Sequence, residues 1–211
     1  MREMPMFPLG AVLLPGEQLP LRIFEPRYAA MIPDVQSAGG RFGTVLIERG
    51  SEVGGGDVRA MVATLAQIDR LTPSGPGRYS LVARGVSRIT VAEWLPDDPY
   101  PRALVDDLAD GDAGAVDWTE LLEKRAQLQL LCGQGGRRDA QLRWIASQLT
   151  KPVDYDGDDP VAASFRAASE LPLGAADRYS VLTAPDAAAR VDVIAAAVDD
   201  LIAALRFRLK G

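Results

Sequence analysis

Residues 6–32 read MFPLGAVLLPGEQLPLRIFEPRYAAMI, and this stretch decides the fold. Two short apolar runs, Ala11–Leu14 and Leu19–Phe24, flank the pair Pro15-Gly16. Proline presets the first corner of a turn and glycine accepts the positive φ of the second, so we predict two strands joined by a sharp turn. Proline also suits the first helical position, where its missing N–H has no partner, so Pro26 predicts a helix start.

Four prolines punctuate this stretch: Pro8, Pro15, Pro20 and Pro26. A proline cannot donate a hydrogen bond to a β-ladder. We therefore expect the strands here to lie at a sheet edge or to be interrupted.

Strand-like segments follow the first helix, which we predict over Pro26–Ala38, with Pro33 breaking or restarting it and Gly39-Gly40 ending it. The predicted strands cover Arg41–Ile47, Ala60–Leu71, Arg78–Arg84, Val86–Leu95 and Arg102–Leu108. With about six or seven strands and no other helical crossover, the pattern favours an antiparallel barrel over a parallel sheet.

Helical periodicity replaces the strand pattern after Ala109. Asp110–Gly114 has the composition of a linker, so we predict a barrel over residues 1–110 and a helical bundle over residues 111–211. Asp117 and Glu120 have the spacing of a capping box at a helix start. Further helices are predicted over residues 139–149, 161–170, 175–182 and 186–209, the last being the longest. The predicted fold class is α+β.

At this point the sequence resembles the N-terminal, substrate-binding domain of Lon proteases, a PUA-like barrel followed by a helical bundle. The resemblance spans roughly residues 5–207 and is strong up to about Leu108. The motifs that carry it are Phe7-Pro8-Leu9, Leu14-Pro15-Gly16, Leu19-Pro20-Leu21, Ile23-Phe24-Glu25-Pro26-Arg27-Tyr28, Arg78-Tyr79-Ser80-Leu81, Gly85-Val86-Ser87-Arg88-Ile89 and Pro99-Tyr100-Pro101-Arg102-Ala103.

The resemblance implies a module that recognises polypeptide without altering it, in a stand-alone form lacking the ATPase and protease domains. We expect unfolded or extended polypeptide segments as partners, with an adaptor role to a separate protease or a chaperone-like role as further hypotheses. The candidate peptide-binding residues are Leu14, Glu25, Arg27, Tyr28, Arg88 and Trp94.

Two alternatives for the binding residues stay open. Arg27 or Arg88 could instead satisfy carbonyls or a carboxylate inside the barrel, because a buried guanidinium is kept where its donors are all used. An apolar surface at the junction of barrel and bundle, or an open strand edge, could take up the peptide. Phe7, Leu14, Leu21, Ile23, Phe24 and Tyr28 are predicted to be barrel core, and Trp94 the most exposed tryptophan.

Charge bears on the choice between polypeptide and nucleic acid. The formal net charge of −6 repels phosphate backbones, which makes nucleic acid an unlikely partner. RNA binding remains the alternative function, because PUA-like barrels elsewhere bind RNA and the barrel half carries several arginines. These are Arg41, Arg49, Arg59, Arg70, Arg78, Arg84, Arg88 and Arg102.

The sequence also argues against catalysis. It contains no histidine, which removes Ser-His-Asp and Cys-His mechanisms and histidine metal sites, and it has no Gly-x-x-x-x-Gly-Lys-Ser/Thr phosphate loop. The acidic run Asp154–Asp159 departs from the calcium-loop pattern twice, so we read it as an acidic segment before a helix. We expect no enzyme activity, no cofactor and no metal.

Localisation is inferred from the cysteine count and from the absence of long apolar runs. A single cysteine, Cys132, forms no intrachain disulfide and is expected to lie buried in a helix. No continuous apolar run has the length of a leader or of a membrane-spanning helix. We expect a bacterial-type cytoplasmic protein with no membrane association.

Overall fold

The structure is a computed structural model that describes residues 1–50, 56–112, 114–135, 139–150, 153–155 and 157–210. Within them the chain forms six strands and six helices. The strands are β1 (Arg2–Leu9), β2 (Gln18–Ile23), β3 (Arg41–Arg49), β4 (Val58–Gly75), β5 (Arg78–Leu95) and β6 (Arg102–Asp107). The helices are α1 (Pro26–Ser37), α2 (Thr119–Gly135), α3 (Ala140–Leu149), α4 (Pro160–Ser169), α5 (Ala175–Thr183) and α6 (Ala187–Lys210). The chain divides into two compact units, Met1–Ala109 and Asp110–Gly211.

The six strands form one sheet in the order β2-β5-β4-β3-β1-β6. Because β5 also pairs with β6, five of the strands close into a barrel and β2 lies outside it on β5. The predicted α+β class with an N-terminal barrel is confirmed. One pair departs from the antiparallel pattern: β1 and β3 are parallel, and the chain between them makes a crossover through β2 and α1.

The opening stretch forms its turn as predicted but places its first strand elsewhere. Glu17 donates its N–H to the Leu14 carbonyl at 3.1 Å across Pro15-Gly16, and Gly16 has a φ of +89°. Ala11–Leu14 is not a strand. Its residues 12–14 are buried in an extended segment, and the strand of this region is β1.

The prolines lie where a missing donor is tolerated. Pro20 is on β2, which pairs with β5 at the edge of the sheet. In β1, residues 2–5 pair with β6 and residues 6–9 pair with β3, so Pro5 and Pro8 each belong to a segment with one ladder partner. The expectation of edge-like or interrupted strands is confirmed.

Helix α1 is continuous through Pro33, against the prediction of a break. The side chain of Pro33 lies on the exposed face, while Met31, Ile32 and Val35 are buried in the core of the barrel unit. Burial of that apolar face holds the turn in place despite the missing N–H. The helix ends as predicted at Gly39-Gly40, with the Gly40 N–H donating to the Val35 carbonyl at 2.8 Å.

Strand β5 runs unbroken through residues that we predicted as two strands. The register against β4 shifts between Leu65 and Ala66, which leaves Val86 as an extra residue beside Gly85. A β-bulge of this kind bends a strand without ending it. The break that we predicted at Gly85 is therefore a bulge within one strand, and the described residues form six strands.

The core of the barrel unit lies between α1 and the sheet. Phe7 stacks on Tyr28 with ring centroids 4.1 Å apart and meets the edge of Phe42 at 6.4 Å. The buried cluster around these rings also includes Leu9, Leu13, Ile23, Met31, Ile32, Val35, Ala66, Leu81, Ala83 and Tyr100. Phe24 is outside this cluster and 62% exposed, so its prediction as core is wrong.

Aspartate side chains cap the starts of several helices in the helical unit. Asp139 accepts from the backbone N–H groups of Gln141 and Leu142, and Asp159 from that of Ala162. Asp117 accepts from the Thr119 N–H at 2.9 Å, but Glu120 pairs with Lys124 at 2.6 Å instead of reaching back, so the capping box is incomplete. Helix α6 spans 24 residues and is the longest, as expected.

Parts of two sequence features lie outside the described residues. They are Gly54 and Gly55 of the run Gly54-Gly55-Gly56, and Asp156 of the acidic run. Within the described part, no cluster of three or more Cys, Asp or Glu side chains is placed to hold a metal ion, and no helix there is long and apolar enough to cross a membrane. Cys132 is buried as expected.

Candidate functional site

The junction of β2 and α1 places the apolar side chain of Phe24 next to the ion pair of Glu25 and Arg27. Phe24 follows Ile23, which is buried, and points away from the core because neighbouring residues of an extended segment face opposite sides. After it, Glu25 accepts from the Arg27 Nε at 3.1 Å. The Arg27 guanidinium lies 4.5 Å from the centroid of the Tyr28 ring, which fixes it over the start of α1.

A second ionic group surrounds Arg59 at the start of β4. Its Nε lies 2.6 Å from Asp57 and its Nη2 lies 2.5 Å from Asp97, and its guanidinium lies 4.9 Å from the centroid of the Trp94 ring. Partial burial opposes ionisation of Asp57, yet the hydrogen bonds from Arg59 hold the pKa of that carboxyl below its ordinary value. The hydrogen bond to Asp97 is the main cause that raises the pKa of Arg59, and the hydrogen bond to Asp57 raises it further. Both shifts favour the charged forms of Asp57 and Arg59, so these two residues stay ionised across ordinary pH.

Two buried donors near these groups make no hydrogen bond in the described structure. They are the Tyr28 hydroxyl and the Trp94 indole Nε1. Burial raises the pKa of Tyr28 to about 12, and the nearby Arg27 lowers it only in part. Both groups keep their protons, so each remains able to donate to an incoming acceptor.

The structure separates the six candidate residues into two sets. Leu14, Tyr28 and Arg88 are buried, and Arg88 donates from Nη2 to the Ala109 carbonyl at 3.1 Å. In this conformation these three side chains are not exposed at the surface. Glu25, Arg27 and Trp94 keep part of their side chains at the surface.

Trp94 is less exposed than predicted, and Trp144 of α3 is the more exposed tryptophan, at 62%. The prediction counted a strict alternation from Ile89 and Val91. The β5–β6 register shifts between Val91 and Glu93, so the bulge reverses the alternation before Trp94. A bulge leaves no reliable signal in a single sequence.

Strand β2 presents an open edge beside the junction. The Gly85 N–H donates to the Glu17 carbonyl at 2.9 Å, and from there every second residue, Leu19, Leu21 and Ile23, directs its backbone groups to β5. Gln18, Pro20 and Arg22 therefore direct theirs to the other side. Among the described residues no strand pairs with that side.

Sequence reasoning missed two parts of this site. Phe24 is predicted as core, although residues next to each other in an extended segment face opposite sides and Ile23 is core as well. Arg59 meets Asp97, which lies 38 residues away, and no local pattern marks that meeting.

Four of the eight arginines named for the barrel half are paired with carboxylates or buried. Arg59 pairs with Asp57 and Asp97, Arg84 with Asp69 at 3.4 Å, and Arg102 with Glu3 at 2.9 Å. Arg88 is buried. Paired and buried arginines add little to a phosphate-binding surface.

Comparison with known proteins gives a family for this architecture. The sequence model of the ATP-dependent protease La (LON) substrate-binding domain matches residues 3–199, nearly the whole chain. The chain belongs to the Lon substrate-binding domain family. This confirms the family suggested by the opening motifs.

Members of the Lon family from bacteria match most of this chain. Lon protease 2 of Myxococcus xanthus is 28% identical over 90% of the chain, and Lon protease 2 of Sorangium cellulosum is 26% identical over 98%. These matches cover 23% and 26% of the two relatives, so the chain spans about a quarter of their length.

Two solved Lon N-terminal structures share the fold. The Lon N-terminal domain protein from Xanthomonas campestris has a TM-score of 0.65 and 25% identity, covering 93% of this chain and 98% of that one. The N-terminal domain of Mycobacterium avium complex Lon protease has a TM-score of 0.58 and 20% identity, covering 94% and 99%. The second likeness shows the fold alone.

Proposed function

We propose that this protein binds extended segments of unfolded polypeptide and does not alter them. The observation that carries the proposal is the continuous surface of residues 18–27, hereafter the β2 surface. It joins an open strand edge to the exposed Phe24 and then to the Glu25–Arg27 ion pair.

The backbone of the β2 surface suits an extended chain. The open edge offers two N–H groups, from Gln18 and Arg22, and the carbonyls of Gln18, Pro20 and Arg22. A peptide strand that pairs there gains main-chain hydrogen bonds independent of its sequence. Pro20 has no N–H and so interrupts the outward backbone donors of β2, which limits pairing with the edge strands of other folded proteins.

The side chains add affinity without demanding one sequence. Phe24 gives apolar area to a side chain of the peptide, and burying a group of this size contributes roughly 1.5–3 kcal/mol. Glu25 and Arg27 lie at the rim of this contact, where exposed charges set orientation more than affinity. These properties fit a protein that accepts many unfolded segments.

Membership in a substrate-binding family supports the same conclusion, since the matched region of the relatives is named for binding substrate. We further propose that bound polypeptide is passed to a separate protease, as an adaptor would do. Co-purification of a protease with the protein from its native source would support that step. A chaperone-like role instead predicts client binding with no protease present.

Binding of a labelled, reduced and carboxymethylated client protein, followed by fluorescence anisotropy, tests the proposal. We expect Phe24→Ala to weaken binding about tenfold, from the lost apolar contact. Phe207→Ala is the matched control, because Phe207 is also an exposed phenylalanine, in the helical unit, at 84% exposure. No binding at micromolar concentration, or equal loss in both variants, would contradict the proposal.

The edge has its own test. Arg22→Pro removes an outward N–H, whereas Arg22→Ala removes the side chain and keeps that N–H. We expect the proline variant to bind clients several-fold more weakly than the alanine variant, roughly the loss of one hydrogen bond. Thermal melts of both variants show whether β2 stays paired with β5. Equal affinities in two folded variants would exclude strand pairing at this edge.

A further inference from the structure

A cavity of about 260 Å³ lies in the helical unit among α2, α3 and the end of α4. Its lining is mixed: Ile145 and Leu149 of α3 and Leu171 after α4 form an apolar wall, and Arg125, Gln148, Ser169 and Glu170 are polar. Trp144 stands at its rim, 62% exposed. An exposed tryptophan beside a concave apolar wall is typical of a ligand site.

The cavity also contains a buried arginine with an unused donor. Arg125 of α2 is 5% exposed, and its Nη1 lies 3.3 Å from the Glu170 Oε2. The contact is an ion pair without hydrogen-bond geometry, and Nη1 makes no hydrogen bond in the described structure. A hydrogen bond from this buried guanidinium donor to an incoming acceptor would lower the free energy of the complex.

The charge balance determines which acceptor fits. Glu170 neutralises Arg125, and its Oε2 also accepts from the Tyr155 hydroxyl at 3.2 Å. A carboxylate brought to Arg125 would lie close to Glu170 and be repelled. An uncharged carbonyl meets no such repulsion and still satisfies the donor.

We propose that this cavity binds one apolar, preferably aromatic, side chain of a polypeptide, while a neighbouring main-chain carbonyl accepts from the Arg125 Nη1. The aromatic ring stacks on Trp144 against the wall formed by Ile145, Leu149 and Leu171. This site deepens the proposed function and rests on it, because it is a second contact for the same class of ligand. The family match, which extends to residue 199, includes these helices.

The first experiment uses a small probe and needs no client protein. N-acetyl-phenylalaninamide is titrated into the full chain while the indole N–H signals are followed by NMR, with the Trp144 signal assigned from Trp144→Ala. We expect a saturable shift of that signal and binding several-fold tighter than for N-acetyl-phenylalanine, whose carboxylate meets Glu170. No shift at Trp144, or tighter binding of the carboxylate, would overturn the proposal.

The second experiment uses variants and the unfolded client. Trp144→Ala changes an exposed side chain, so its fold is expected to persist, and we expect several-fold weaker binding of client and probe alike. Leu130→Ala is the matched control, since Leu130 of α2 is exposed to a similar degree, at 68%. Unchanged affinity in Trp144→Ala, or equal losses in both variants, would overturn the proposal.

A third variant tests the donor. Arg125→Gln should abolish the preference for the amide probe over the carboxylate probe; if circular dichroism shows that it unfolds, the Trp144→Ala comparison decides. Failure of the two proposals can be told apart. If the native chain binds client and Phe24→Ala weakens it while the probe leaves Trp144 unshifted, the cavity proposal fails and the β2 surface stands. If the native chain binds no client, the proposed function itself fails.

Discussion

Arg190 shows how one buried residue ties the helical unit together. Its guanidinium donates to Ser164 of α4 at 2.8 Å and to the Val181 carbonyl of α5 at 3.3 Å, and pairs with Asp110 at the start of the unit. It also lies 3.8 Å from the centroid of the Phe165 ring. Every polar group of the side chain is used, which is the condition for keeping a charge in a protein interior.

We predict that Arg190→Ala lowers the free energy of unfolding by about 3 kcal/mol or more, because it leaves a cavity and strands the partners of the guanidinium. Arg208→Ala is the control. Arg208 pairs with Asp139 at 2.5 Å but is exposed, so we expect a change below about 1 kcal/mol. Urea unfolding measures both, and comparable losses would contradict this account.

Tyr28 is a buried tyrosine whose hydroxyl has no partner in the described structure. Burial raises its pKa from 10.0 to about 12. Between these values the unfolded chain loses the phenolic proton while the folded chain keeps it. The stability that depends on keeping the Tyr28 phenol protonated is therefore fully present below pH 10 and is lost as the pH rises through 12.

We predict that Tyr28→Phe raises the free energy of unfolding near neutral pH by up to about 1 kcal/mol, since it removes a buried unpaired hydroxyl and keeps the stack on Phe7. The fall in stability at alkaline pH should also become shallower than in the native chain. Urea unfolding at a series of pH values measures both effects. A variant less stable near neutral pH would show that the hydroxyl has a partner.

At the scale of elements, the contact between the Pro15-Gly16 turn and strand β5 fixes the β2 surface. Gly16 donates to the Gly85 carbonyl and Gly85 donates to the Glu17 carbonyl, both at 2.9 Å. A Cβ at position 85 would overlap the Leu14 carbonyl oxygen and lie 3.0 Å from its carbon. Glycine is required here because the turn approaches the strand backbone directly.

We predict that Gly85→Ala lowers the free energy of unfolding by roughly 1–3 kcal/mol, as overpacking does elsewhere, and weakens client binding by displacing β2. Gly133→Ala is the control, because a Cβ there in α2 meets no atom within 4 Å. We expect that change to stabilise the protein by up to about 1 kcal/mol through helix propensity. Thermal unfolding and client anisotropy of the two variants test this, and a tolerated Gly85→Ala would show that the turn can move.

At the scale of the whole molecule, charge separates the two functions considered from the sequence. The net charge is −6, and Arg59, Arg84 and Arg102 of the barrel half are paired with carboxylates. Binding of unfolded polypeptide through apolar area and main-chain hydrogen bonds depends weakly on salt. Binding of RNA depends steeply on it.

We predict no electrophoretic shift of bulk RNA by micromolar protein at about 200 mM salt, and only a weak shift at about 50 mM. Client affinity should change by less than about threefold between the same two conditions, because apolar contacts are not screened. RNA binding that persists at the higher salt would favour the alternative function instead.

The sequence by itself determined the features that depend on neighbouring residues. Pro15-Gly16 determined its turn and Pro26 the start of α1, because each acts on backbone groups within a few residues. The motifs of the opening stretch also determined the family. The α+β class followed from the change in periodicity after Ala109.

Only the tertiary structure decided which surfaces are free. The parallel pairing of β1 with β3, the bulge that turns Trp94 inward and the continuity of α1 through Pro33 depend on partners distant in the chain. The meeting of Arg59 with Asp97, and of Arg125 with Glu170, depends on them too. Burial and ion pairing are properties of what surrounds a side chain after folding, and a local pattern contains no record of that.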